Sequence, residues 1–158
     1  MEMMAILALD GGLLGGPDMY PWALQDLRRE VFELLKEKTA ISGRRTWELW
    51  GTELPVAGGV VLSRSSSEIP PGALMVVPNL NVASERAQNL DRDVVVVGGA
   101  TVFRQALPVV DVLHLAYVKQ KPAETLPFPM VKPELWWVES VREHPAYEWV
   151  TYRRRNVA

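Results

Sequence analysis

Two glycines follow directly on four valines in Val94-Val95-Val96-Val97-Gly98-Gly99, and this is the pattern in the chain best suited to holding a ligand. Glycines at the end of a buried strand let a ligand approach the backbone. A helix starting behind them, predicted over residues 101–106, turns free N–H groups and the positive end of its dipole toward a phosphate. Arg44, Arg45 and Thr46 come after another apolar stretch and offer a second place for an anion, and Arg64, after Ser63, offers a third. An arginine taken singly is usually a solvated charge, and Gly-Gly alone reads equally as a tight turn. Three such places at the ends of apolar strands suit one large ligand with several phosphates, because open α/β sheets bind ligands along that edge.

Acid–base chemistry has fewer candidates. Asp26 and Glu30 stand one helical turn apart in YPWALQDLRREVFELL, residues 20–35. Either is a surface charge paired with Arg29 or Lys36, or the single acid of a buried site. On a wheel of about 100° per residue, Glu30 borders the Leu27/Leu34 side of the apolar stripe and Asp26 lies farther round. With no cysteine, and with His114 and His144 far apart in sequence, thiolate chemistry is excluded and a metal cluster is not expected.

The elements that must position these residues can be read from periodicity. Residues 3–9 form an apolar run that predicts a buried strand, entering a loop with Gly11, Gly12, Gly15 and Gly16 that extends to about Pro21. Leu24, Leu27, Val31, Leu34 and Leu35 recur at helical spacing through Glu37, giving a helix with one stripe against a sheet. Further strands are predicted at 39–42, 60–63, 74–77, 93–99 and 112–118, with short helices at 43–48 and 84–89, the latter capped by Ser84 or Asn81. Four valines without polar alternation imply burial on both faces. The tail predicts strands at 136–143 and 147–154, joined at His144-Pro145 as a hairpin. Alternating strands and helices with an antiparallel end describe one three-layer α/β domain over 1–158, with a mainly parallel central sheet. Trp47, Trp50, Trp136, Trp137 and Trp149 are expected to pack between strands and helices, and Arg153, Arg154 and Arg155 to be the solvated charge of an edge strand.

Composition bounds the partners. A chain of 158 residues, 48% hydrophobic, is the size of one domain with one core and one cleft. A net charge of -2 leaves no broad basic surface for nucleic acid. The first residues lack the basic flank and apolar length of a signal peptide, and no window approaches a membrane span, so a cytoplasmic monomer is expected.

The order of motifs resembles the dihydrofolate reductase family over about 150 residues. It runs from the glycine-rich loop ending in Pro21-Trp22, through Gly43-Arg44-Arg45-Thr46-Trp47-Glu48, Leu54-Pro55 and Val60-Val61-Leu62-Ser63-Arg64. Val97-Gly98-Gly99-Ala100-Thr101-Val102-Phe103, Thr125 and Phe128-Pro129 complete it. The resemblance implies an NADPH site: Gly43, Arg44, Arg45 and Thr46 toward the phosphates, and Leu62, Ser63 and Arg64 at the adenosine 2'-phosphate. Val97, Gly98, Gly99, Ala100, Thr101 and Val102 would hold the pyrophosphate turn. Phe103, Ile6, Leu14 and Gly15 would lie about the nicotinamide. It places Met4, Ala5, Leu27, Val31, Leu34 and Ala116 against a pterin or folate substrate, with Trp22 ordering water beside the catalytic acid.

The substrate half departs from the family's pattern. By ungapped count the tail-binding arginine falls at Ala57, the threonine supporting the acid at Ala116, and the acid itself at Leu27. A one-residue gap on each side moves the acid to Asp26. A longer loop before the helix moves it to Glu30, which restores the apolar face best and is preferred. The implied activity is hydride transfer from NADPH to 7,8-dihydrofolate, giving tetrahydrofolate. The alternatives are another pterin or a ribosylamino-pyrimidine as substrate, or a binding protein that keeps the fold without turnover.

Overall fold

The molecule is described by a computed structural model covering residues 1–14, 24–90, 93–119 and 125–156. Strand β1, Glu2–Ala8, is buried from Met3 onward and lies inside an eight-stranded sheet. The other strands are β2 (Thr39–Gly43), β3 (Gly58–Leu62), β4 (Ala73–Val77), β5 (Val94–Gly98), β6 (Val112–Val118), β7 (Trp136–Glu143) and β8 (Tyr147–Arg154). Their spatial order is β4-β3-β2-β5-β1-β6-β8-β7. All neighbours from β4 to β6 run parallel, while β8 is antiparallel to both β6 and β7. The mainly parallel sheet with an antiparallel C-terminal strand is therefore as expected.

Period-two alternation sorts the core onto the two faces of this sheet. Met3, Ala5 and Leu7 join Val94 and Val96 under helices α3 (Leu80–Gln88) and α4 (Ala100–Ala106). Met4, Ile6 and Ala8 join Val95 and Val97 under α1 (Gln25–Leu35) and the Trp47 side chain of α2 (Arg44–Trp50). The single core expected from chain length is thus two clusters, one on each side of the sheet, which is what three layers require.

Four local differences have physical causes. Helix α1 stops at Leu35 rather than Glu37, because Glu37 adopts a left-handed φ of 64° and donates its N–H to Pro55 O. Helix α3 begins at Leu80, not residue 84: Asn79 accepts from Val82 N at 2.9 Å and caps it, and Leu80, Ala83 and Ala87 then face the core. Trp137, on the edge strand β7, is 39% exposed, whereas Trp47, Trp136 and Trp149 are buried. The basic tail is not an edge: β8 lies between β6 and β7, Arg153 pairs with Glu139, Arg154 donates to Val110 O and Leu107 O, and Arg155 to Pro133 O.

Trp47 shows how tightly the β2–α2 unit is built. Its indole N–H donates to Pro71 O at 2.8 Å, and a Cβ on Gly59 would lie 2.4 Å from its ring. A large buried side chain therefore fixes α2 at the carboxyl end of β2, where the arginines follow.

Candidate active site

The carboxyl ends of β2 and β5 meet through Thr46. A Cβ on Gly99 would stand 3.0 Å from Thr46 Oγ1, and one on Gly98 would stand 3.4 Å from Thr46 Cγ2. Gly98 has a φ of +137°, a conformation that L side chains rarely adopt, and the Gly98–Gly99 peptide is cis. The expected Gly-Gly turn and the Gly43-Arg44-Arg45-Thr46 segment thus form one surface of bare backbone and short side chains.

This surface lines a cleft of about 600 Å3, within the size range of small-molecule sites. Strand β1 contributes Met4, Ala5 and Ile6, and β5 with α4 contributes Val97 to Phe103. Leu13 and Leu14 form the facing wall. Leu13 exchanges backbone hydrogen bonds with Leu126 at 2.8 Å each way, and Leu14 N donates to Ile6 O at 3.0 Å. A Cβ on Gly12 would collide with Thr125 Oγ1 at 2.6 Å, so the loop can lie this close only with glycine there. Phe103 closes the apolar end, packed edge-on against Phe128 at 5.6 Å.

Arg44 also lines the cleft and is partly exposed. Its Nε donates to Ser63 Oγ at 3.4 Å, and its Nη2 donates to the carbonyls of Ser66, at 3.4 Å, and Glu68. Its Nη1 stands 3.6 Å from the Glu48 carboxylate. Arg45, which lines the cleft, and Arg64, beside Ser63, are exposed. Leu62 is partly buried at the end of β3 against the α3–α4 cluster.

Helix α1 presents a different chemistry. Leu27, Val31 and Ala116 are fully buried, in one cluster with Met4 and Ile6, and Leu34 is partly buried against it. The two carboxylates lie on the flank of α1 that meets the β7–β8 hairpin. Asp26 is more than half exposed, accepting from Arg29 at 3.3 Å and contacting His144 Nε2 at 2.9 Å. The His144 hydrogen bond holds its carboxyl below the ordinary carboxylate range. His144 Nδ1 accepts from Ala146 N at 3.0 Å, and its ring stacks on Tyr147 at 4.3 Å. That bond to Ala146 leaves Nε2 as the nitrogen that carries the proton toward Asp26.

Glu30 is the more enclosed acid, its side chain 24% exposed. The Tyr147 hydroxyl donates to its Oε2, while Arg142 Nη1 lies against Oε1 as an ion pair without hydrogen-bond geometry. Burial and this carboxylate push the Tyr147 phenol well above the ordinary tyrosine range. Among the described residues that line the cleft, neither Asp26 nor Glu30 appears. Gly15 and Trp22 lie outside the described residues.

Sequence reasoning missed Leu13, Leu49, Trp50 and Leu126 as cleft residues. For Leu13 a signal existed, since an apolar pair directly after Gly11-Gly12 can return along β1. It also missed Tyr147, Arg142 and His144 as partners of α1, and no local pattern announces contacts across more than a hundred residues. Among the described residues no group of histidine, aspartate and glutamate could hold a metal ion, and no helix is long and apolar enough to cross a membrane.

A cleft across the carboxyl ends of parallel strands, with glycine backbone, arginines and an apolar end, is the construction of nucleotide-using α/β enzymes. The chain belongs to the dihydrofolate reductase family, a family of oxidoreductases, whose sequence profile matches residues 2–156. It is 31% identical over 147 residues to dihydrofolate reductase type 3 of Salmonella typhimurium, covering 92% of this chain and 88% of that protein. It is also 28% identical to dihydrofolate reductase type A13 of Escherichia coli, over 98% and 94% of the two chains. Against dihydrofolate reductase of Haemophilus influenzae the identity is 29%, over 80% and 78%.

Proposed function

We propose that this protein reduces 7,8-dihydrofolate to tetrahydrofolate with NADPH as the electron donor. The observation that carries the reading is the junction of Thr46 with Gly98-Gly99, a cradle that a single Cβ would fill, opening onto an apolar pocket in the same cleft. Such a junction fits a dinucleotide: backbone and short side chains admit a pyrophosphate, and hydrocarbon beside them admits a flat ring. Held at the Thr46, Gly98 and Gly99 junction, NADPH would supply the hydride for the carbon of the pterin C=N bond, and the adjacent nitrogen would take up a proton.

The chain's own residues divide the work. Arg45, Arg64 and the polar groups of Ser63 and Thr101 meet phosphate oxygens. Met4, Ala5, Ile6, Leu14 and Phe103 exclude water from the reacting carbon. Leu27, Val31, Leu34 and Ala116 give the substrate an apolar floor. Glu30 is the acid we assign to the proton, with Asp26 as its control. Glu30 borders the buried stripe of α1 and is held by Tyr147, whereas Asp26 is exposed and engaged by Arg29 and His144. A positioned general acid contributes about 10²–10⁴ in rate. Glu30→Gln therefore lowers kcat by about that factor with NADPH affinity unchanged, and Asp26→Asn changes kcat by less than about threefold. Equal effects of the two substitutions, or none, remove the assignment.

The absence of a cation at the exposed Ala57 favours one variant of this reading, a pterin with a shorter tail. It predicts equal kcat/KM for dihydrofolate and for a reduced pterin lacking the glutamate. A tenfold advantage for dihydrofolate, about 1.4 kcal/mol, opposes it.

A further inference from the structure

The sheet ends at β7, and that end is built unlike an ordinary edge. Among the described residues no strand lies beyond it, and every residue from Trp137 to Glu143 is exposed. Trp137, Val138 and Val141 are 39%, 50% and 52% exposed, so hydrocarbon faces water along a strand of eight residues. Charges and bulges usually blunt such an edge against stray pairing. In β7 the bulge has a second consequence, because it makes the strand symmetric about its own middle.

Residues paired across a ladder share a face, and β8 alternates regularly along its length. Val138 pairs with Tyr152 and Ser140 with Thr151, which leaves Glu139 as the extra residue. Beyond it Val141 pairs with Val150, and Arg142 with Trp149. Trp136, Val138, Val141 and Glu143 therefore lie on one face, and Trp137, Ser140 and Arg142 on the other. In a regular strand residues three apart point opposite ways; across this bulge Val138 and Val141 point the same way. The phase of the ladder fixes their backbone too. His144 N donates to Tyr147 O and Arg155 N to Leu135 O, so by alternation Val138 and Val141, opposite Tyr152 and Val150, turn their own N–H and C=O groups away from β8.

We propose that β7 pairs antiparallel with β7 of a second copy of this chain, about a two-fold axis between Glu139 and Ser140, joining two sheets into one. In that register Val138 stands opposite Val141 of the second copy, and Trp137 opposite its Arg142: hydrocarbon meets hydrocarbon, and a ring meets a guanidinium. The outward amides of Val138 and Val141 exchange the hydrogen bonds of the new ladder. Arg142 lies over the Trp149 ring at 5.5 Å with its side chain 61% exposed, so it has room for a second ring. No like charges stand directly opposite. Glu139 meets Ser140, and is held within its own chain by Arg153 Nε at 3.0 Å and Nη2 at 3.3 Å. A regular strand cannot match the bulge, whereas a second copy meets it with its own. The surface is separate from the cleft, and the dimer takes the place of the monomer expected from composition.

The test is sedimentation of the intact protein between roughly 1 and 200 µM, a range suited to a small two-fold interface. Wild type passes from monomer to dimer within it. Val138→Lys, an exposed substitution that sets a cation opposite Val141, weakens association by about tenfold or more and leaves the melting temperature unchanged. Introduced thiols read the register, since the chain has no cysteine. Val138→Cys mixed with Val141→Cys forms an interchain disulfide on mild oxidation, because facing Cα atoms lie about 5.5 Å apart. Either variant alone does so far more slowly, its two thiols being offset by roughly 7–10 Å along the strands. The proposal is overturned if wild type stays monomeric at about 200 µM, if Val138→Lys dimerises as wild type does, or if the single variants cross-link as fast as the mixture.

Discussion

At the Thr46 end of the cleft, polar groups are set by residues close to one another in the chain or on adjacent strands. Thr46 abuts Gly98 and Gly99, and Arg44 gathers the turn that begins one residue after β3. At the α1 end, polar groups are set from far away: Glu30 meets Tyr147 and Asp26 meets His144 across 117 and 118 residues of sequence. Leu27 and Ala116, packed in one cluster with Met4 and Ile6, are fully buried hydrocarbon. The cleft with its Gly-Gly junction is thus a property of local strand-turn-helix units, whereas the setting of the α1 carboxylates depends on how the C-terminal hairpin docks on α1.

Substitutions can break each half separately. The largest effect is expected at Gly98→Val, where a β-branched side chain is forced to a φ of +137° beside Thr46 and Phe103. Strain of this kind costs about 1–3 kcal/mol, and blocking the cradle adds to it, so NADPH titration should show a loss of affinity of roughly 100-fold or more. Leu27→Ala attacks the other half: removing a fully buried leucine from the α1 stripe should lower unfolding free energy by about 2–5 kcal/mol in denaturant titration, with NADPH affinity retained.

Tyr147→Phe is smaller. It deletes the hydroxyl that donates to Glu30 and keeps the ring, so stability should fall by about 1.5–3 kcal/mol, the range for a hydrogen bond to a charged group, and kcat should fall with it if Glu30 serves the proton. The smallest effect is pH-dependent. Because Asp26 is held below its ordinary range by the His144 hydrogen bond, that contact stabilises the fold above the usual carboxylate pKa and is lost as pH falls through the lower folded value. Thermal melting from neutral to acid pH should therefore show Asp26→Asn nearly equal to wild type in the acid limit and slightly less stable above it.

The same contrast explains what was legible in the sequence. Four valines before Gly98-Gly99 give a buried parallel strand because no residue among them tolerates water, and β7 and β8 appear at their expected bounds because a His-Pro break separates two alternating runs. Helix α1 was legible as a stripe of Leu27, Val31 and Leu35. The environment of its carboxylates was not, since a helix wheel gives an angle but not the strand that lies opposite it. The basic tail misled at one residue for the same reason: Arg153 and Arg155 are exposed as expected, but Arg154 is drawn in when the carbonyls of Leu107 and Val110 are brought to it by tertiary packing. Arg44 was legible as a residue at a strand end, where it lines the cleft, while its commitment to the carbonyls of Ser66 and Glu68 depended on the path of a turn that composition only marked as a loop.

The central claim is that this cleft transfers hydride from NADPH to dihydrofolate. Mixing purified protein with both and following nicotinamide absorbance alongside chromatographic measurement of tetrahydrofolate tests it directly. One tetrahydrofolate is expected to form for each NADPH oxidised. NADPH bound by the protein but left unoxidised in the presence of dihydrofolate would contradict it.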